Sequence, residues 1–122
     1  MPHVVINGTI DMEALFSRLH PIFTKTPTGI LKTTDLYLSR EGTSILIDSL
    51  AIEEGKKQPF FTLLNQRDDG VVVRIYPGST VEKTDGVKQI LVMLANQIVA
   101  LFPSSEYGKT NLTEYLSLTI NQ

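Results

Sequence analysis

Apolar residues along this chain switch between two spacings, and the switches mark the elements. Val4-Val5-Ile6 is a short apolar run that predicts a strand, ended by Asn7-Gly8. Met12, Leu15, Phe16, Leu19, Ile22 and Phe23 then fall at i, i+3, i+4, i+7, i+10 and i+11, one face of a helix. Thr9 or Asp11 can cap it, because a short side-chain oxygen accepts an orphan N–H of the first turn. Pro21 lacks an N–H and crowds the preceding turn, so the regular helix is expected to stop or kink near His20. Thr24 to Thr28 reads as a polar loop.

The middle of the chain reads as strands. Asp35 to Ser39 alternates, and Glu41-Gly42 marks a turn. Ser44 to Ile52 is apolar on both faces, as in a strand covered on both sides or central in a sheet. Glu53 to Gln58 reads as a charged turn, and Pro59 to Leu64 as the next strand, with its proline at the start. Asp69-Gly70 is a hairpin signal, because both residues tolerate a positive φ. Val71 to Tyr76 follows, rich in β-branched residues, and Pro77-Gly78 stops it. Successive hairpins imply an antiparallel meander.

Ser79-Thr80-Val81-Glu82 fits a capping box, although Gly86 moves the expected helix start to Thr84. Val87, Ile90, Leu91, Leu94, Ile98, Leu101 and Phe102 form the helix's apolar stripe, which Val92, Met93, Val99 and Ala100 broaden. Pro103 ends it, and residues 104–110 read as a polar loop. Leu112, Leu116, Leu118 and Ile120 alternate with Thr113, Tyr115, Ser117 and Thr119, which predicts a half-buried C-terminal strand. The expectation is a single α+β domain over residues 1–122. Its sheet would be an antiparallel meander of about four strands plus the C-terminal strand, with two helices packed on one face.

Composition narrows the function classes. The length of 122 residues suits one domain, which at this size buries roughly two-thirds of its unfolded surface. Eleven Lys and Arg are scattered in a chain of net charge −2, so the basic footprint of nucleic-acid binding is missing. With no cysteine there is neither a disulfide framework nor a thiolate zinc site. Val87 to Phe102 is the longest apolar stretch, yet polar residues interrupt it and it is shorter than a membrane span. No basic segment followed by an apolar core opens the chain, and the expected location is the cytoplasm.

Most groups with reactive chemistry have a structural explanation. His3 and His20 lack metal-ligand spacing, so neither metal nor other cofactor is expected. The pairs Asp68-Asp69 and Glu53-Glu54 read as hairpin turns facing water. Gly78-Ser79-Thr80 lacks the lysine and glycines of a phosphate loop. Phe60-Phe61 beside Lys56-Lys57 starts a strand and belongs to the core. Asn111-Leu112-Thr113 fits a glycosylation sequon that a chain without a leader would not expose to the transferase.

Met1-Pro2-His3-Val4-Val5 resembles the start of the tautomerase superfamily, particularly its hydroxymuconate-isomerase-like members. The resemblance implies loss of Met1, Pro2 as the general base and a trimer; Val71 to Phe102 can be laid on the family's second strand–helix–strand unit. That family holds a substrate carboxylate with an arginine. Tyr37 falls near the expected position and Arg40 a few residues beyond, so Arg40 is the candidate, with Arg74 the other arginine that could line a cleft at Pro2.

A second resemblance spans about Leu36 to Phe102, through EEGKKQPFF and DGVVVRIYPGSTVEKTDGVK. These segments are similar to those of small uncharacterised cyanobacterial and plastid α+β proteins. Their layout resembles the cystatin-like fold, type III secretion chaperones and YbjN-like proteins, acidic chains that commonly dimerise. It implies binding or chaperoning rather than catalysis. The expected function is therefore a non-enzymatic interaction or assembly module, a homodimer binding another protein or itself, with a tautomerase as the alternative. Two faces could serve: the broad side of the second helix around Val92, Met93 and Val99, and the sheet face that no helix covers.

Overall fold

Tight turns set the architecture, because each fixes which side chains of the next strand face inward. This computed structural model describes residues 1–120, with side chains described through Leu116. The elements run β1 (His3–Asn7), α1 (Met12–Arg18), β2 (Phe23–Thr26), β3 (Gly29–Leu38), β4 (Ser44–Glu53), β5 (Lys56–Arg67), β6 (Gly70–Ile75), α2 (Asp85–Leu101), β7 (Glu106–Thr110) and α3 (Thr113–Ile120). Seven strands form one curled sheet in the order β2-β3-β4-β5-β6-β1-β7, and every neighbouring pair is antiparallel.

The expected α+β class and the meander hold, but the sheet is larger than about four strands plus one. Thr24 to Thr28 is not a loop. Phe23–Thr26 pairs with Gly29–Lys32 as an edge hairpin. Residues 106–110 are also a strand, paired with β1. The expected C-terminal strand is a helix instead. Leu112, Tyr115 and Leu116 are all buried, a spacing of i, i+3 and i+4 that suits a helix and not an alternating strand. The expected inward positions Leu118 and Ile120 lie outside the described side chains.

Turn chemistry explains the meander. Glu54-Gly55 joins β4 to β5 with φ of 52° and 79°, positive at both central positions, as two-residue hairpins favour. Lys56 to Gln58 therefore belongs to β5 and not to a charged loop. In the β5–β6 hairpin the turn residues are Asp68 and Asp69, neither with a positive φ. Gly70 serves another purpose there. It pairs with Asn7, and a Cβ on it would lie 1.9 Å from the Ile6 carbonyl oxygen.

The core lies between the concave face of the sheet and α2, which contacts β1, β3, β4 and β6 as well as α1 and α3. Inward-facing Ile45, Ile47 and Ala51 of β4 and Phe60 and Leu64 of β5 meet Ile90, Leu91, Leu94 and Ile98 in a single apolar cluster. Two hydroxyls share that face without being left dry: Ser49 Oγ lies 2.9 Å from Thr62 Oγ1 and donates to the Ile47 carbonyl. Asp11 caps α1, accepting from the Glu13 and Ala14 amides, and α1 ends at Leu19, short of Pro21. Ile22 and Phe23 lie beyond that helix, and Phe23 opens β2 on the solvent side. Replacement Gly70→Ala should destabilise the chain by about 1–3 kcal/mol, read as a lower urea midpoint, since a backbone carbonyl must give way.

Candidate functional site

Where α2 begins, the sheet does not close against it. The β2–β3 turn, the β4–β5 turn and the first turn of α2 surround a cleft of about 650 Å³. Thr84 is the N-cap of α2; its Oγ1 accepts from the Val87 amide and donates to Glu53 Oε1 at 2.9 Å. Gly86 makes room for that carboxylate, since a Cβ there would come 1.8 Å from Glu53 Oε1. Negative charge at a helix N-terminus is favourable, so Glu53 and Asp85 offset the helix's own field there. Asp85 Oδ1 also accepts from the Tyr115 hydroxyl at 2.5 Å, and Lys56 Nζ reaches Glu82 Oε1 at 2.6 Å. The expected capping box is not formed: Ser79 Oγ accepts from the Phe61 amide, and Glu82 turns to Lys56.

Gln58 is the first buried residue of β5. It is only 7% exposed and lines the cleft. Its side chain makes no hydrogen bond to any described residue, while no enclosed polar side-chain atom among them lacks a partner. The Gln58 amide therefore opens into the cleft.

Pro2 is buried and lines a second, smaller cavity of about 240 Å³ with Lys83, Lys88, Asn111 and Tyr115. Asn111 clamps the chain here, accepting from the His3 amide at 3.0 Å and donating to the Met1 carbonyl at 2.7 Å. Arg40 is not part of this cavity. It sits in the β3–β4 turn, while Pro2 precedes β1, and β4, β5 and β6 lie between those strands. Four strand spacings amount to about 20 Å along the sheet. Arg74 does not line it either; it lies on the opposite sheet face and donates from Nε and Nη2 to Asn65 Oδ1.

The convex sheet face carries no helix. Register places Tyr37, Leu46, Leu63 and Arg74 in one row across β3 to β6, with Asp48 beside Phe61 in the next. Phe61 is 37% exposed and Tyr37 52%. Leu50 and Pro59 continue the apolar surface on the following row. By contrast, the expected binding face of α2 is mostly internal. Val92 is wholly buried, Met93 Sδ accepts from Thr24 Oγ1 of β2, and Val99 is half-buried against the core. Val92 shares a flank of α2 with Lys88, whose Nζ lies 5.8 Å from the Tyr115 ring centre of α3. The helix's breadth thus serves α3 on one flank and β2 on the other.

Among the described residues no cluster of three His, Cys, Asp or Glu is placed to hold a metal ion, and no helix is long and apolar enough to cross a membrane. His20 contributes only its backbone, bonded to the Gln97 side chain. Sequence reasoning missed Gln58, the one buried amide open to the cleft; the inward row of β5 would have signalled it had the hairpin been placed at Glu54-Gly55. Compared with protein-family models, characterised proteins and solved structures, the chain matches none.

The hydrogen bond to Asp85, helped by burial and the nearby charges of Asp85 and Glu114, pushes the Tyr115 phenol up to about 12. Burial also raises Tyr107. The folded chain thus holds the Tyr115 proton more tightly than the unfolded chain, where tyrosine ionises near pH ~10. The resulting stability is intact below pH ~10 and lost as pH rises through about 12. Urea midpoints of the natural chain and Tyr115→Phe should differ below pH ~10 and converge above it.

Proposed function

We propose that this protein is a non-enzymatic interaction module of chaperone or assembly type, which pairs with a second copy of itself through the convex face of its sheet. The carrying observation is the convex-face row Tyr37–Leu46–Leu63 with Phe61 beside it, exposed at Tyr37 and Phe61 and buried at Leu63, apolar where a solvated antiparallel face is ordinarily polar. The sheet edges favour face-to-face rather than edge-to-edge pairing. β2 is only four residues long and carries Lys25, and β7 is five and carries Lys109.

Charge complementarity supports a second copy as the occupant. Asp48 and Arg74 lie on the same face, and Asp48 has no partner among the described side chains. In an isologous dimer, residue i meets j and j meets i, so Asp48 of each copy can meet Arg74 of the other. The alternative, an isomerase using Pro2 as base, draws no support from the placement of Arg40, which is several strands away.

Light scattering across a concentration series tests the proposal. The natural chain should be a dimer at tens of micromolar, and Phe61→Glu with Tyr37→Glu should be a folded monomer. The single changes Asp48→Arg and Arg74→Asp should each weaken pairing, and the double swap should restore it. A natural chain that stays monomeric, or a charged variant that still dimerises, would overturn self-pairing through this face.

A further inference from the structure

The cleft at the start of α2 carries four carboxylates, Glu53, Glu54, Glu82 and Asp85, against one ammonium, Lys56, a formal net of −3 where the whole chain has −2. Negative charge is therefore concentrated here and nearly balanced elsewhere. Concave sites with walls of one sign focus their field on ligands of the other.

Acidic residues alone define no site, and three of these already have work within the fold. Glu53 accepts from Thr84, Glu82 pairs with Lys56, and Asp85 accepts from Tyr115. The independent observation is Gln58. A side chain 93% enclosed loses most of its contact with water, yet its amide has no partner among the described residues. The amide itself is not sealed from solvent, so it is free to bond a molecule that enters the cleft. It lines the cleft together with the carboxylates, with a carbonyl able to accept from a ligand N–H and an amide able to donate.

We propose that this cleft binds an organic cation bearing a primary ammonium group. The ammonium takes the Gln58 carbonyl and the free carboxylate oxygens as acceptors, and the Lys56–Glu82 pair stands at the side of the cleft. An ammonium has three donors and no acceptor, which suits a lining dominated by acceptors. The carboxylates are not grouped closely enough to ligate a bare metal ion. The volume of about 650 Å³ is that of a pocket for a small organic molecule. The same chemistry has two sources, a free polyamine or a lysine side chain presented by a peptide.

Titration of the full chain with spermidine, and separately with a capped Gly-Lys-Gly peptide, tests this by calorimetry and by amide chemical shifts. At least one probe should bind with a dissociation constant below about 1 mM at low salt. It should shift the Gln58 side-chain amide in the natural chain. Glu54→Gln, in an exposed turn, and Gln58→Leu should each weaken binding by about tenfold. The double change Asp68→Asn with Asp69→Asn, which removes two negative charges from a hairpin outside the cleft where Glu54→Gln removes one, should leave binding unaltered. Spermidine binding more tightly marks a free amine as the source, and tighter peptide binding marks a partner's lysine. No binding of either probe overturns the proposal, as does an unshifted Gln58 amide. So does equal weakening by the Asp68/Asp69 control, which would mark diffuse charge attraction. Because the Gln58 shift is read in the natural chain, the test stands even if Gln58→Leu fails to fold.

Discussion

Enclosure of α2 by the concave face of the sheet is the constraint on which the rest depends. Ile90, Leu91, Leu94 and Ile98 are fully enclosed, and burial of each such side chain contributes roughly 1.5–3 kcal/mol. A flat sheet could cover only one stripe of this helix. Val87, Val92 and Ala95 are equally buried, so apolar surface extends well round its circumference. The sheet curls to meet part of it, while α1 and α3 close the flanks. With all helices committed to that side, the opposite sheet face is left open to solvent.

The legible parts of the fold were those with strong periodicity or punctuation. The α2 stripe repeats every three or four residues, and β4, β5 and β6 are bounded by Gly and Pro. The strands that escaped notice have little apolar content to show. Thr24, Lys25 and Thr26 owe their extended form to backbone pairing with β3, and a pairing partner is not visible in local sequence. Leu112 and Leu116 misled because a spacing of four is even and also close to one helical turn. Tyr115 decides between the two, since it sits on the polar side of an alternating pattern yet is buried with the leucines.

The candidate site was hidden by register. Read as a six-residue charged turn, Glu53 to Gln58 all point to water. With the turn confined to Glu54-Gly55, the inward set of β5 runs Gln58, Phe60, Thr62 and Leu64, and a slip of one residue would turn Gln58 outward. The positive φ of Glu54 is therefore what converts a hydrophilic segment into one wall of a cleft. Glu53 joins that wall to the helix, through Thr84 and across the gap at Gly86. The α2 stripe raises a related question of cover, since Val92 is enclosed within the chain while Met93 and Val99 are half-buried. Breadth of an apolar stripe says that a surface is covered, and not whether the cover comes from the same chain.

The position of β1 bears on how the chain assembles. It is the first strand in sequence, yet it lies between β6 and β7, and its start is tied to Asn111 across 108 residues. Closing so long a loop is entropically slow, and contacts of this separation form late in folding. During synthesis the meander from β2 to β6 can zip as each hairpin leaves the ribosome, while β1 can gain only one neighbour until residue 110 has emerged. The apolar Val4 and Ile6 are then shielded on one edge alone. The nascent chain thus carries an adhesive strand with one open edge until β7 has been made, and completion of the sheet waits on that last pairing.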